Sequence, residues 1–204
     1  MARGPGVRVI AGSMRGRRLT VPPGDGVRPT KDIVREAVFS ALDARGALVD
    51  AAVLDLYAGS GALAIESLSR GAANAVLVER DRAALDAIQQ NVERLDLAGE
   101  ARVARSDVVG FLASPPPREA PFDLVLADPP YGTTDDEIAA LLTALVAPGW
   151  LGEDALIAVE RPAKSAVDPP NGLRACWERT FGDTLMTFYD TFDLLTLPST
   201  DALN

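Results

Sequence analysis

The 204-residue sequence predicts an α/β domain built on a mostly parallel, doubly wound sheet, with an antiparallel hairpin near its C-terminal end. Three observations lead to this prediction. Short apolar runs alternate with segments in which apolar residues recur at helical spacing, as in parallel sheets covered by helices. Glycines follow the first long apolar run directly, as at a turn from a strand into a helix. Gly182-Asp183 separates the last two runs and is a typical hairpin turn.

The N-terminal residues predict a short β-hairpin followed by a helix. Residues 7–10 and 18–21 are strand-like runs around a glycine-containing turn, and a proline- and glycine-rich loop follows at residues 22–26. Thr30 suits the N-cap of a helix that ends at Gly46. The apolar stripe of this helix comprises Ile33, Val34, Ala37, Val38, Ala41 and Leu42.

The alternating units come next along the chain. The predicted strands cover residues 53–57, 75–79, 102–104, 122–127, 155–160, 177–181 and 185–192. The predicted helices cover residues 62–70, 85–95 and 135–146. Thr134 and Glu137 match a capping box at the start of the last helix, which accounts for the acidic run there. The predicted aromatic core residues are Trp150, Trp177 and Tyr189.

Composition excludes several kinds of chemistry. The sequence has no histidine, so a Ser-His-Asp triad, a histidine base and a histidine-ligated zinc are impossible. Cys176 is the single cysteine, so we expect no disulfide and no metal, as in a reducing cytoplasm. No apolar stretch approaches the roughly 20 residues that cross a bilayer, and the first residues lack the apolar run of a signal peptide. We therefore expect a soluble, cytoplasmic protein without membrane contact.

The net charge of −9 is unevenly divided along the chain. Residues 1–35 hold eight basic and two acidic residues, a local charge of +6 that leaves −15 for the remainder. This asymmetry favours a polyanionic partner, although a solvated polar segment would have the same composition. We define the basic arm as residues 1–30, assign residues 31–196 to the main domain, and expect residues 197–204 to form a flexible tail.

A glycine loop and acidic residues at strand ends predict a site for an adenosine-type cofactor. The loop Ala58-Gly59-Ser60-Gly61 joins the first strand of the main domain to a helix, so its backbone can approach a ligand closely. Glu79 ends the next strand, where an acid accepts hydrogen bonds from ribose hydroxyls. Asp55 and Asp107 lie near the ends of the first and third strands, at the same sheet edge.

Carboxylates near the loop suit S-adenosylmethionine (SAM), which carries a sulfonium and an amino group but no phosphate, better than they suit a dinucleotide. Ala64 stands at the third position of the glycine fingerprint, which tolerates alanine. The predicted cofactor-binding residues are Asp55, Tyr57, Ala58, Gly59, Ser60, Gly61, Glu79, Arg80, Ser106 and Asp107.

The tetrapeptide Asp128-Pro129-Pro130-Tyr131 follows the strand at residues 122–127. Its prolines restrict the backbone, so the Asp128 carboxylate and the Pro129 carbonyl are presented as acceptors beside the flat ring of Tyr131. Two acceptors can bind both N–H bonds of an exocyclic base amine and align its lone pair with a methyl donor. All four residues are predicted to be catalytic in amino-methyl transfer, and a proline-rich loop with a turn tyrosine is the simpler alternative.

These motifs resemble class I SAM-dependent amino-methyltransferases with a Rossmann-like fold. More narrowly, the chain resembles the RsmD-like family, which methylates N2 of guanine 966 in 16S rRNA. The resemblance is carried by residues 15–19, 28–36 and 58–72 and extends from about residue 7 to residue 190. Ala64 departs from it, because relatives often have glycine there. The Asp-Pro-Pro-Tyr motif alone is shared with DNA adenine methyltransferases.

The resemblance implies a role for each part of the site. Asp55, Gly59 and Gly61 would hold the methionine part of SAM, Glu79 the ribose and Asp107 the adenine amine. Asp128 and Pro129 would hold the guanine N2, with the Tyr131 ring stacked on the base. The residues expected to bind RNA are Arg8, Arg15, Arg17, Arg18, Arg28, Lys31 and Arg35.

The expected partner is therefore 16S rRNA in the small ribosomal subunit or in an assembly intermediate, and we expect a monomer. Three alternatives remain at this point. A DNA adenine-N6 methyltransferase would use the same tetrapeptide, and a non-catalytic rRNA-binding assembly protein would use the basic arm. A nicotinamide dehydrogenase would leave residues 128–131 unexplained. The pair Glu160-Arg161, at a strand end near the site, has an open role beside that of an ordinary salt-bridged strand end.

Overall fold

The computed structural model describes residues 7–23 and 29–192, with side chains from residue 32 onward in the second range. A seven-stranded sheet in the order β3-β2-β1-β4-β5-β7-β6 organises them. The strands are β1 (Ala52–Leu56), β2 (Asn74–Glu79), β3 (Ala101–Arg105), β4 (Phe122–Ala127), β5 (Leu151–Pro162), β6 (Leu173–Phe181) and β7 (Thr184–Thr191). The helices are α1 (Pro29–Asp43), α2 (Ala62–Ser69), α3 (Arg82–Leu95), α4 (Val108–Leu112) and α5 (Asp135–Leu145).

The sheet topology confirms the predicted fold class. Strands β1 to β5 pair in parallel, whereas β7 pairs antiparallel to β5 and β6. β1 lies between β2 and β4, so the chain builds outward from β1 in both directions. In such sheets a crevice opens at the carboxyl ends of the strands, where the connections diverge. This topology brings the chain segments that follow β1, β2, β3 and β4 to one edge.

Apolar side chains on both faces of the sheet form the core. Val53 and Leu77 point to one face, where they pack with buried residues of α1, α2 and α3. Leu54 and Val76 point to the other face and pack with α4, α5 and Trp150. Alternate strand residues thus bury on opposite faces, which explains why these strands read as nearly continuous apolar runs. Trp150 and Tyr189 are buried, as predicted, and Trp177 is half-buried.

The described part of the basic arm forms only a minimal hairpin. Arg8 and Arg18 make an isolated antiparallel bridge, supported by a bond of 3.0 Å from Val9 N to Arg17 O. At the turn, Gly12 has a φ of +80°, and a Cβ there would lie 1.7 Å from the Ser69 carbonyl oxygen. A glycine is required because the arm backbone lies directly against the end of α2.

The structure corrects several element predictions. α1 begins at Pro29, so Thr30 lies in its first turn rather than at the N-cap; proline is favoured at a first helical position. Ile33, predicted to be a core residue, is 61% exposed, while Phe39 is fully buried. α4 was not predicted at all. β5 and β6 each begin four residues earlier than expected.

No helix in the described ranges is long and apolar enough to span a bilayer. Within the same ranges, no group of three or more acidic, cysteine or histidine side chains could hold a metal ion. Residues 1–6, 24–28 and 193–204 lie outside the described residues, and with them the start of the basic arm, Arg28, part of the predicted loop and the predicted tail.

Candidate active site

A cavity of about 730 Å³ opens at the carboxyl ends of the parallel strands. The segments after β1, β2, β3 and β4 line it together with the end of β5 and the β6–β7 turn. The predicted site residues that line it are Tyr57, Gly59, Glu79, Arg80, Ser106, Asp107, Asp128, Pro129, Pro130 and Tyr131. The predicted residues that do not line it are Asp55, Ala58, Ser60 and Gly61. The structure therefore brings the predicted cofactor and catalytic segments to one cavity.

The glycine loop makes a tight left-handed turn between β1 and α2. Tyr57, Gly59 and Gly61 all have positive φ angles, of 63°, 56° and 77°. A Cβ at Gly61 would lie 2.9 Å from a methyl carbon of Leu77, so a side chain there would push the loop away from β2. Gly61 is also the N-cap of α2. The glycines thus serve the close packing of the loop and the direction of the helix.

Glu79 ties this loop to the end of β2. Its carboxylate accepts a hydrogen bond of 2.8 Å from Gly59 N on one oxygen. The other oxygen accepts bonds from Arg80 N at 2.7 Å and Asp81 N at 2.8 Å. The side chain is half-buried and lines the cavity. One carboxylate therefore shapes the loop and also faces the cavity.

Asp55 lies behind the loop rather than in the cavity, since its exposure is 0%. One oxygen accepts a bond of 3.0 Å from Ala64 N, and the other has no hydrogen-bond partner among the described residues. Burial raises the pKa of this carboxyl to about 8, the bond from Ala64 opposes the rise, and the charges of Asp128 and Glu79 add to it. This carboxyl is therefore largely protonated near neutral pH, and it acts on the loop through its bond to α2 rather than as a charge in the cavity.

Asp107 caps the short helix α4. One carboxylate oxygen accepts a bond of 2.8 Å from Gly110 N, and the side chain is exposed at the cavity. Ser106 N donates to the Glu79 carbonyl at 3.1 Å, which joins the ends of β2 and β3. Val109, which is 78% exposed, and Leu112 add an apolar wall from α4. The prediction missed this wall because five residues are too few to show helical periodicity.

The tetrapeptide leaves β4 at the mouth of the cavity. Asp128 is half-buried, Pro129 is buried, and the Tyr131 ring is 77% exposed. The backbone turns back through a bond of 2.9 Å from Thr133 N to Pro130 O. The exposed ring is placed to contact a ligand from solvent.

The sequence did not assign a role to Arg161, and the structure places this residue in the cavity lining. It lies near the end of β5, pairs with Asp135 and donates to the Thr133 carbonyl. The salt-bridged strand end considered from the sequence is therefore present. Its partner Asp135 belongs to the acidic run that was assigned to a helix cap, and Thr134 and Glu137 do form that capping box. The signal available in the sequence was a basic residue directly after the predicted strand at residues 155–160.

The arginines predicted to bind RNA fall into two groups. Arg8, Arg15 and Arg17 are exposed and Arg18 is half-exposed. Arg35 differs from the prediction, because it is 8% exposed and donates to Arg8 O at 2.7 Å and to Asp32 at 3.0 Å. Burial lowers its pKa. Arg35 thus holds the arm from beneath instead of presenting a surface cation. Arg28 and the side chain of Lys31 lie outside the described residues.

Known proteins that resemble this chain include methyltransferases, as the arrangement of the site predicts. The family described as "Conserved hypothetical protein 95" matches residues 7–190. Ribosomal RNA small subunit methyltransferase D of Escherichia coli K12 is 42% identical over 163 residues, which cover 79% of this chain and 77% of the relative. A solved E. coli structure provisionally described as the methyltransferase yhhF is 39% identical, with a TM-score of 0.78 and coverage of 91% and 97%.

More distant structures share the fold alone. The magnesium protoporphyrin IX methyltransferase of Synechocystis, solved with bound SAM, is 18% identical with a TM-score of 0.62. It covers 83% of this chain, and this chain covers 87% of it. The Rossmann-like fold of class I SAM methyltransferases, predicted from the motifs, is therefore confirmed. The chain belongs to the family of conserved hypothetical protein 95, the RsmD-like methyltransferases that its sequence motifs resemble.

Proposed function

We propose that the chain is a SAM-dependent methyltransferase that modifies the exocyclic N2 amine of guanine 966 in 16S rRNA. The observation that carries this proposal is the shared cavity, which is lined both by Glu79 and Asp107 and by residues 128–131. Family membership supports the reaction class, and the name of the E. coli relative supports a ribosomal RNA of the small subunit. The guanine position rests on the family resemblance.

The residues present fit SAM. Glu79 and Asp107 line the cavity and offer carboxylates to a ligand there. A phosphate-bearing cofactor would meet this set of acids unfavourably, whereas a ligand with positive charge and hydroxyl groups meets it favourably. Gly59, Glu79 and Asp107 would hold the cofactor, with the apolar wall of α4 beside it. SAM supplies a methyl group bound to a sulfonium, which a nitrogen nucleophile can accept.

Residues of this chain bind and orient the guanine amine. A guanine amine is a weak nucleophile because its lone pair is delocalised into the ring. The Asp128 carboxylate and the Pro129 carbonyl are both acceptors at the cavity, so they can bind its N–H bonds and orient the lone pair. The Asp128 charge stabilises the positive charge that develops on nitrogen. The exposed Tyr131 ring supports the base, which must leave its stack to enter the cavity.

The arm supplies the affinity for RNA in this proposal. Arg8, Arg15 and Arg17 present guanidinium groups to solvent on an otherwise acidic chain. Cations of this kind bind phosphates and favour a polyanion irrespective of its sequence. We propose the division into a basic arm (residues 1–30), a methyltransferase domain (31–196) and a tail (197–204). The proposal also includes a monomer that acts in the cytoplasm on the small subunit or on its assembly intermediate.

The test is methyl transfer from tritiated SAM to small ribosomal subunits that lack the modification. We expect label in 16S rRNA, located at guanine 966 by mass spectrometry. Asp128→Asn should lower kcat at least 100-fold, because the negative charge is lost and the amide can turn an NH₂ donor toward the base amine. Asp136→Asn is the matched control, since Asp136 is an exposed acid of α5 outside the cavity lining. Label in duplex DNA but not in rRNA, or full activity of Asp128→Asn, would contradict the proposal.

A further inference from the structure

A buried cation on β5 holds the turn that follows the tetrapeptide. Arg161 is 7% exposed and directs all of its described hydrogen bonds to this region. Its Nη2 donates to the Thr133 carbonyl and to Asp135 Oδ1, both at 2.8 Å. Its Nε donates to Ser165 Oγ at 3.1 Å. A guanidinium offers donors in a rigid planar fork, so these bonds fix the relative positions of their acceptors.

The strand register explains why Arg161 reaches this turn. β4 and β5 are parallel neighbours, with Ala127 opposite Val159. Two residues beyond each of these positions, the two strands deliver Pro129 and Arg161 to the same edge of the sheet. The two residues also line the same cavity.

Thr133 connects Arg161 to the catalytic segment. Its N–H donates to the Pro130 carbonyl at 2.9 Å, while its own carbonyl accepts from Arg161. The backbone after Tyr131 is therefore bonded on one side to the tetrapeptide and on the other to β5. A shift of the guanidinium would be transmitted to Pro130 through a single residue.

Asp135 completes the arrangement from the start of α5. Its second oxygen accepts a bond of 3.1 Å from Ala166 N, and the Ser165 hydroxyl donates to the same oxygen that Arg161 binds. The bonds from Ser165, Arg161 and Ala166 hold the pKa of Asp135 at about 2. The Asp135 carboxylate is therefore ionised near neutral pH, and it anchors the chain that follows Thr133 to Arg161 and to residues 165–166.

We propose that Arg161 is a positioning residue for methyl transfer: through Thr133 and Asp135 it sets the placement of the backbone that carries Asp128, Pro129 and Tyr131. This inference rests on the proposed function. Only the Arg161 side of this ion pair is buried, since the Asp135 side chain is 40% exposed, and such a pair contributes little net stability when compared with apolar packing. The contacts of Arg161 instead converge on the turn after the tetrapeptide, which positions the acceptors Asp128 and Pro129 for the base amine.

The experiment compares Arg161→Gln with the wild-type protein in three measurements. We expect kcat to fall about 10- to 100-fold, the cost of misplacing a catalytic group by about 1 Å. The dissociation constant for S-adenosylhomocysteine and the KM for RNA should change less than twofold. Hydrogen exchange of a peptide covering residues 128–136 should accelerate. Arg161→Lys should recover only part of kcat, because an ammonium keeps the charge but lacks the planar fork.

The matched control is Arg174→Gln. Arg174 also forms an ion pair with an aspartate, Asp190, at 2.8 Å, but on the β6–β7 hairpin outside the cavity lining. It should keep wild-type kcat and wild-type exchange at residues 128–136. If Arg161→Gln does not fold, Asp135→Asn and Ser165→Ala retain the guanidinium and weaken its network, so they should show the same pattern with smaller changes.

The outcomes separate the two proposals. A folded Arg161→Gln protein, or the pair Asp135→Asn and Ser165→Ala, with kcat and exchange within twofold of wild type would overturn the positioning role. A loss of S-adenosylhomocysteine binding equal to the loss of kcat would also overturn it, because the defect would then lie in the cofactor site. Wild-type protein that methylates no rRNA would instead defeat the proposed function, and the exchange data would still decide whether Arg161 orders the turn.

Discussion

β1 packs against helices on both faces of the sheet and the basic arm against one of these layers, and the two segments are held by different interactions. In β1 the side chains of Val53, Leu54 and Leu56 have no exposed surface. The arm buries Val9 and Leu19, and hydrogen bonds from α1, α2 and α3 also hold its backbone. The strand is stabilised by apolar burial, which does not depend on direction, whereas the arm depends on hydrogen bonds that require particular partners.

Glu66 and Asn91 are two of the polar side chains that hold the arm. The Glu66 carboxylate, fully buried on α2, accepts from Ile10 N at 2.6 Å and Ala11 N at 3.0 Å. Asn91 on α3 accepts from Thr20 N at 2.7 Å and donates to Thr20 O at 2.8 Å. The Asn91 amide also donates to Ser60 O in the glycine loop at 3.0 Å. A segment that forms almost no secondary structure of its own is thus docked by the domain beneath it.

The largest expected effect lies on the strand side. Leu54→Ala removes a fully buried side chain from the core and should lower the free energy of unfolding by about 2–5 kcal/mol. Urea denaturation followed by circular dichroism measures it. Val49→Ala is the control, because Val49 is 69% exposed and should change stability by less than about 0.5 kcal/mol. Equal effects of the two substitutions would show that apolar burial does not hold this strand.

Asp55 is the exception within β1, and it makes the strand sensitive to pH. Its folded-state pKa of about 8 exceeds the ordinary value of 3.8, so the folded protein binds the proton more tightly than the unfolded chain. Stability from this group is therefore present at low pH and is lost as pH rises from about 4 to about 8, at up to roughly 1.4 kcal/mol per pH unit.

Asp55→Asn should remove that dependence in the cofactor-free protein. Between pH 5 and pH 8, wild-type protein should lose about 3 kcal/mol more unfolding free energy than the variant. Asp86→Asn, an exposed substitution on α3, should keep the wild-type slope. Parallel pH profiles for wild type and Asp55→Asn would mean that the buried carboxyl does not gain a proton on folding.

Glu66→Gln should release the arm while the sheet stays folded. The glutamine amide has one acceptor oxygen where the carboxylate has two, and its NH₂ group would face the N–H donor of Ile10 or Ala11. The docking of the arm should therefore weaken by about 1.5–3 kcal/mol. Hydrogen exchange at residues 7–21 should accelerate more than exchange in β1 or β4. Glu93→Gln, an exposed change on α3, should leave exchange in the arm unchanged. Equal acceleration throughout the chain would show that arm and sheet unfold together.

The smallest expected effect concerns the surface of the arm. Arg17→Ala should reduce RNA affinity modestly and lower the slope of log affinity against log salt by about 0.7, the value of one phosphate contact on a single strand. Arg118→Ala is the control, since Arg118 is 89% exposed and lies outside the arm. An unchanged salt slope in Arg17→Ala would remove this arginine from the RNA-binding surface.

Local patterns in the sequence predicted most elements of the main domain correctly. Buried parallel strands appear as apolar runs, and glycines appear where the backbone must turn left-handed, as at Gly61 and Gly182. α4 escaped detection because it depends on one capping aspartate, Asp107, rather than on periodicity. Ile33 was misplaced because α1 buries Val34, Val38, Phe39 and Leu42, which turns Ile33 outward. Ile33 and Val34 are neighbours at the edge of the apolar stripe, and the packing of α1 decided which of the two is buried.

The sequence by itself determined the fold class and which segments meet at the cavity, because parallel strands bring their carboxyl ends to one edge whatever the side chains do later. Only the tertiary structure decided the roles of buried polar residues. In the sequence, Arg35 and Arg161 cannot be distinguished from surface arginines, and Asp55 cannot be distinguished from an acid that contacts the cofactor directly. Their roles depend on contacts with residues 26 to 28 positions away, such as Arg8 and Asp135, or on complete burial. Burial converts a charge from a surface feature into a fixed structural link, and burial is a property of the assembled chain.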